Sequence, residues 1–299
     1  TAALAPHRRD FTRPLWLGDR PLAGKTILIY AEQGYGDTIQ FVRYAPRVAA
    51  LGARVILEVQ PELVRLLAGL EGIEVIPHGR LLPPFDLQCP LMSLPLAFRT
   101  ELSTIPADVP YIVPAADVAA WQGRLPGPQP QVGLVWAGDR LHKNDANRSM
   151  RLEMLRPLLD LPGLHFVSLQ QEVGAQDAEV LRSVAGLRAD GPFRDFAETA
   201  AAIARLDAVV AVDTAVAHLA GAMGKPLFLL LPFGADFRWL RERPDSPWYP
   251  GARLFRQHAF NDWSRAVDAL CGELTRFRDG RAARSATTSR PPLRLSLAV

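Results

Sequence analysis

Short apolar runs alternate with stretches of mixed polarity along most of the chain, and this rhythm is the first guide to its fold. Residues 25–30 (KTILIY) form one such run, closed by the glycine-bearing turn AEQGYGD. The pattern predicts a buried strand feeding a helix over 37–51, which Gly52 stops. Residues 54–59 (RVILEV) read as another strand, 61–70 as a short helix with proline in its first turn, 73–76 as a strand and 86–89 as a further short one. Continuous apolar strands separated by helices belong in a parallel sheet covered on both faces.

Residues 123–131 (GRLPGPQPQ) then break the pattern with proline and glycine, as an interdomain linker does. The same rhythm restarts beyond it. Strands are expected at 132–136, 165–169, 208–212 and 227–231, and helices at 151–159, 175–184, 193–204 and 214–223. Trp263, Val267, Leu270 and Leu274 give 261–277 the spacing of a closing helix. The expected fold class is α/β, with two doubly wound domains and a cleft between them. Residues 1–23 read as an N-terminal junction, 24–124 as the first domain, 131–258 as the second, 259–279 as the closing helix and 280–299 as a disordered tail.

A length of 299 residues fits two domains of on the order of 100–200 residues each. With 48% apolar and 22% charged residues, the composition excludes a disordered or fibrous chain. The net charge of +3 needs localising: residues 276–299 carry +5 and 1–24 carry +2, which leaves −4 on the body. The arginine tail, interleaved from 281 on with Ala, Ser, Thr and Pro, has no stacking aromatics among its cations, so no nucleic-acid partner is expected. Cys89 and Cys271 stand 182 residues apart without metal-ligand spacing, which argues against a disulfide scaffold or a structural zinc. No run approaches the 18 or so apolar residues of a membrane span, and 1–10 lack a signal-peptide core. A cytoplasmic location is the expectation. The chain begins with Thr rather than Met, as a processed product or a piece of a longer protein would.

Three segments carry candidate chemistry. Gly34-Tyr35-Gly36-Asp37-Thr38 follows a strand and opens a helix, where backbone N–H groups can meet an anion. A dinucleotide fingerprint would place Glu58 on a ribose, but Ile39 occupies the third glycine position, and simple turn chemistry accounts for the two glycines. Asp37 is expected to cap the helix, and at the carboxyl end of the sheet it would also face the cleft as a general base. Asp213-Thr214-Ala215-Val216-Ala217-His218 likewise follows a strand. Thr214 and His218 share a helix face and would hold a phosphate, with small Ala215 and Ala217 letting a ligand approach; the alternative for His218 is a hydrogen-bonded interface residue. The loop after Trp136-Ala137-Gly138 holds Arg140, His142, Lys143, Asn144 and Arg148, either as cations for a diphosphate or as a solvated loop. His142 and Asp145 lack a third ligand, so no metal is expected. Trp248 and Tyr249, in an aromatic loop over 245–257, suit stacking on a sugar or base and suit packing on the closing helix equally. Neither a GxSxG elbow nor a Walker A motif occurs.

Taken together, GDTIQFVRYAP, VGLVWAG…NRSM and DTAVAHLAGAMGKP resemble family 9 glycosyltransferases, whose members include ADP-heptose:lipopolysaccharide heptosyltransferases, and especially the catalytic region of bacterial proteins in which tetratricopeptide repeats precede such a domain. The resemblance covers about residues 11–275. It implies a GT-B architecture of two Rossmann-like domains, with the acceptor on the first and a nucleotide-sugar donor on the second. It implies a metal-independent, inverting reaction with no cofactor beyond the nucleotide-sugar substrate. Asp37 takes the place of the base, with Gly34, Gly36 and Thr38 lining the acceptor side. Asp213, Thr214 and His218 match the donor motif, in which Ala215 replaces the usual glycine. Arg148, with Lys143 as the alternative, takes the place of the family's basic residue, usually Lys in heptosyltransferases, and the departure leaves the donor sugar open. A glycan or protein acceptor and upstream tetratricopeptide repeats are the implied partners. A binding module on the same fold, and less favourably an NAD-dependent oxidoreductase, are the competing readings.

Overall fold

Two fully parallel sheets, one in each half of the chain, organise the protein. The computed structural model describes residues 9, 11–114, 118–121, 124–125, 129–184, 187–189 and 193–288. The first half contains β1 (Thr26–Tyr30), α1 (Tyr35–Phe41), α2 (Ala45–Ala50), β2 (Arg54–Val59), α3 (Pro61–Leu67), β3 (Ile73–Pro77), β4 (Leu87–Pro90) and α4 (Leu94–Ala97). Its strand order is β3-β2-β1-β4, with Ile27 opposite Val55 on one side and Leu87 on the other.

The second half contains β5 (Gln131–Val135), α5 (Asp145–Arg148), α6 (Arg156–Leu159), β6 (His165–Ser168), α7 (Ala175–Ser183), β7 (Leu187–Ala189), α8 (Phe196–Ala204), β8 (Ala208–Val212), α9 (Ala215–Ala222), β9 (Leu227–Leu231), β10 (Ala252–Arg256) and α10 (Ser264–Thr288). The order here is β10-β9-β8-β5-β6-β7. In each sheet the order reverses beside the domain's first strand, between β1 and β4 and between β5 and β8. Open α/β sheets bind ligands at the carboxyl ends of strands at such a switch point.

The strands β5, β8 and β9 are buried throughout. One face packs on α8 and α9, and the other, through Leu134, Val210 and Leu230, on α10 residues Val267, Leu270 and Leu274. No helix among the described residues is long and apolar enough to cross a membrane.

Several local expectations differ from the structure. The helix expected over 37–51 is α1, a 3-10 turn (Val42–Tyr44) and α2, because Pro46 supplies no amide for a continuous ladder. Pro157 divides 151–159 in the same way. Strands β7 and β10 add edges that were not expected; β10 lies within the supposed aromatic loop. Helix α10 runs past the expected limit of 279 to Thr288, and residues 289–299 lie outside the described residues. So do 123 and 126–128 of the linker. Part of the junction is built into the first domain: Trp16 is buried and its amide donates to the Gln88 carbonyl at 2.9 Å.

The halves meet over a shared core. Arg43, in the turn between α1 and α2, sends Nη1 to the carbonyls of Pro106 (2.8 Å) and Trp248 (2.9 Å) and Nη2 to the Tyr111 hydroxyl (2.8 Å). The amides of Tyr111 and Ile112 both donate to the Ala222 carbonyl at the end of α9.

Candidate functional site

The turn after β1 places Asp37 at the third position of α1, not at its N-cap, which is Gly34. Asp37 Oδ2 accepts the Gly34 amide at 3.0 Å and so closes the first turn on itself. Its other oxygen, Oδ1, accepts from Arg238 Nη2 at 2.7 Å, across the boundary between the halves. Arg238 is 8% exposed, and it also donates to Gln40 Oε1 (3.1 Å) and to Asp236 Oδ1 of its own loop (2.8 Å).

Between Asp37 and Gly34, Gly36 lies against α9. A Cβ at this position would stand 2.7 Å from His218 Cδ2 and 3.6 Å from the Ala215 Cα. The first domain's glycine turn therefore sits on the first turn of α9, with Asp37 one residue further on. Small Ala215 serves this approach of backbone to backbone.

The donor-side elements converge on the same place. Thr214 is the N-cap of α9, although its hydroxyl donates to the Val212 carbonyl at 3.2 Å and leaves the helix amides uncapped by it. Arg148, at the end of α5, donates from Nη1 to the Asp213 carbonyl at 3.0 Å and lies over Gly138, whose missing side chain makes room for it. Lys143 is exposed on the outer part of the loop, so Arg148 is the cation that the structure brings to the site. Arg140 lies elsewhere on the loop, beside a cavity of about 310 Å³ shared with Met150, Met154 and Trp263.

His218 is 3% exposed, stacks on Trp239 at 5.3 Å between ring centres, and its Nδ1 meets the Tyr249 hydroxyl at 2.9 Å. Its Nε2 lies 3.8 Å from Asp213 Oδ1. Burial, aided by Arg238, Arg43 and Arg148, pushes the imidazole well below its ordinary pKa, so it is neutral at pH 7. That matches the interface alternative for His218. Burial pushes the Asp213 carboxyl up, opposed by Trp239, Arg238 and Arg148.

Several expected site residues are placed otherwise. Thr38 is 1% exposed and donates to Gln60 Oε1 at 3.0 Å, so it braces the turn from inside rather than lining the cleft. Trp248 and Tyr249 are buried against Phe41 and His218 and offer no face to a sugar or base. Glu58, the ribose candidate of the dinucleotide reading, is buried and bound by both terminal nitrogens of Arg9.

Two polar groups at the site were not expected. Arg238 is one. The other is Glu32, just after β1, which accepts the backbone amides of Met92 and Leu91 while its Oε2 is buried without a partner. Burial and the neighbouring Asp37 push its carboxyl to about 7. Among the described residues no three His, Cys, Asp or Glu side chains form a group able to hold a metal.

Residues 192–231, from just before α8 to the end of β9, match the model of glycosyltransferase family 9 (heptosyltransferase). Protein FlbA of Caulobacter vibrioides is 29% identical over 292 residues; the match takes in 88% of this chain and 48% of that protein, so the chain spans about half the length of this curated relative. Among solved structures, E. coli ADP-heptose LPS heptosyltransferase II superposes with a TM-score of 0.58 at 14% identity, over 86% of this chain and 99% of that one. The iron-containing dodecameric glycosyltransferase TibC of enterotoxigenic E. coli H10407 gives 0.56 at 14% identity, over 83% and 67%. E. coli heptosyltransferase WaaC with ADP gives 0.53 at 12% identity, over 84% and 99%. The two parallel-sheet domains thus form a GT-B architecture, shared in fold with these heptosyltransferase structures over most of the chain, and residues 192–231 are similar in sequence to the family 9 glycosyltransferase model.

Proposed function

We propose that this chain transfers a sugar from a nucleotide-sugar donor to a hydroxyl acceptor, by a metal-independent inverting reaction that needs no further cofactor. The observation that carries this reading is the meeting of Asp37, from one half, with the first turn of α9 and Arg148 from the other. A helix N-terminus with a partly buried guanidinium beside it attracts a diphosphate, and a carboxylate one residue from the contact is positioned to take a proton. TibC has been solved with ADP-D-beta-D-heptose, which supports a nucleotide-sugar as the kind of donor.

In this scheme the acceptor hydroxyl oxygen attacks the anomeric carbon from the face opposite the diphosphate. The new C–O bond forms as the bond to the phosphate oxygen breaks, and the electron pair leaves with the diphosphate. The proton passes to the Asp37 carboxylate. Arg148 and the α9 amides hold the charge that develops on the leaving group. His218 is neutral and buried, so its part is to fix α9, Trp239 and Tyr249 together. A glycan or a protein can supply the hydroxyl.

The test is a thermal-shift panel of ADP, UDP, GDP, CMP and NAD, followed by transfer assays with the nucleotide-sugars of whichever nucleotide stabilises the protein. Stabilisation by a nucleotide with loss of transfer in Asp37→Asn is the expected result. Stabilisation by NAD alone would overturn the reading. Nucleotide binding with no turnover, unaltered by Asp37→Asn, would instead make the chain a binding module.

A further inference from the structure

Resting on that reading, we infer that Arg238 is shared between Asp37 and the donor: its guanidinium holds the carboxylate while the donor site is empty and turns to the diphosphate when the site fills, so that donor binding frees the proton acceptor.

Three observations lead to this. First, Arg238 is the donor-domain group bonded to Asp37 Oδ1, while Oδ2 is taken by the Gly34 amide. Each oxygen keeps a further lone pair, but an acceptor hydroxyl at Oδ1 must share that oxygen with the Arg238 cation until the guanidinium turns away. Second, the same guanidinium stands close to where a diphosphate would sit. Its charge acts on Asp213 and His218, which bracket the first turn of α9, as does that of Arg148, which is bonded to the Asp213 carbonyl. Trp239, the next residue, stacks on His218 and ties the Arg238 loop to α9. Third, the loop is held in an unusual backbone shape, with Leu240 at φ 55° and Glu242 at φ 55°, conformations that non-glycine residues rarely adopt. Asp236 and Gln40 hold two other nitrogens of Arg238, so the exchange of partner concerns Nη2, the nitrogen bonded to Asp37. A diphosphate, with more charge than one carboxylate, competes well for a bidentate guanidinium.

The consequence is an order of events. Donor enters first, Asp37 is released second, and the acceptor hydroxyl then finds Oδ1 free of the guanidinium. Arg238 is a positioning residue toward Asp37 and a binding residue toward the donor.

The exchange is tested by a double-mutant cycle read as nucleotide affinity, with whichever of ADP, UDP, GDP or CMP binds the wild-type protein most tightly as the probe, by titration calorimetry. Asp37→Asn removes the competitor for Arg238 and is expected to tighten the probe about tenfold. In an Arg238→Gln background the same substitution should tighten it less than about threefold, because only the general repulsion between Asp37 and phosphate is relieved. Equal tightening in the two backgrounds, or none in either, overturns the exchange. Failure of wild-type and Asp37→Asn proteins to bind any of the four nucleotides overturns the glycosyltransferase reading itself, a different result. Thermal unfolding of each variant establishes that it is folded, and Arg238→Lys, which keeps the charge, should restore part of the coupling.

Discussion

Arg43 and Arg238 cross the same boundary from opposite sides and in opposite chemical company. Arg43 leaves the first half and ends among the carbonyls of Pro106 and Trp248, the Tyr111 hydroxyl and the faces of Tyr111, Trp248 and Tyr249. Nothing there can leave, and none of its hydrogen-bond partners among the described residues is a carboxylate. Arg238 leaves the second half and ends on the carboxylate of Asp37 and the amide of Gln40, beside the uncapped turn of α9. One arginine is a permanent tie made of backbone oxygens; the other has a partner that an incoming anion can replace. The difference teaches that a buried cation's role is read from what it is bonded to, not from its burial.

Substitutions can sharpen this contrast. Asp37→Asn keeps the hydrogen bond from Gly34 and removes the proton acceptor, so turnover should fall by about 10²–10⁴-fold with little change in melting temperature. Arg43→Ala strands two buried carbonyls and a tyrosine hydroxyl, and should cost about 2–4 kcal/mol of unfolding free energy in a denaturant titration. Arg238→Gln should cost less, about 1–2 kcal/mol in the same titration, because the amide keeps a donor for a neighbouring carboxylate, yet impair turnover severely. If both arginine variants lost stability equally, the contrast between tie and exchangeable partner would fail.

Gly36→Ala tests the boundary from the other side. The added methyl, 2.7 Å from His218 Cδ2, must push the halves apart, at a cost of about 1–3 kcal/mol and with loss of turnover.

The smallest expected effects are in pH. Glu32 has a folded pKa of about 7 against an ordinary 4.5, so its protonated form suits the native state and its contribution is lost as pH rises through 7. Glu32→Gln should therefore stabilise by about 1–2 kcal/mol at pH 8, after discounting for partial exposure, and much less at pH 5. His218 runs the other way. Its folded pKa is depressed, so stability is present above about pH 6.5 and is lost on acidification. His218→Gln should lower the melting temperature at pH 7 but flatten its decline toward pH 5.

The sheets were legible because buried parallel strands are near-continuous apolar runs: among the described residues, eight of the ten strands, all but β7 and β10, lie within a residue or two of their expected places. Strand β10 was hidden because Arg253 and Arg256 interrupt its apolar pattern at a sheet edge. The site was half legible. Asp37 stood out in its glycine turn, since an acid at the end of a buried strand has few structural reasons to be there. Arg238 did not, because it lies 201 residues from its partner in a segment with Arg241 and Arg243 close by. Composition likewise cannot separate a core aromatic from a stacking one, so Trp248 and Tyr249 suited a sugar platform and packing equally, and prove to be interior packing.

The two amides of residues 111 and 112 that share the Ala222 carbonyl bear on how such proteins can be recombined. Although they precede the linker, Ile112 and Trp121 pack with donor-side residues, Trp121 stacking on Phe193 at 5.8 Å. A chimaera joined at the proline-rich stretch would therefore graft a donor half without its own outer strap. A crossover placed ahead of residue 105 would carry the strap along with the half it belongs to.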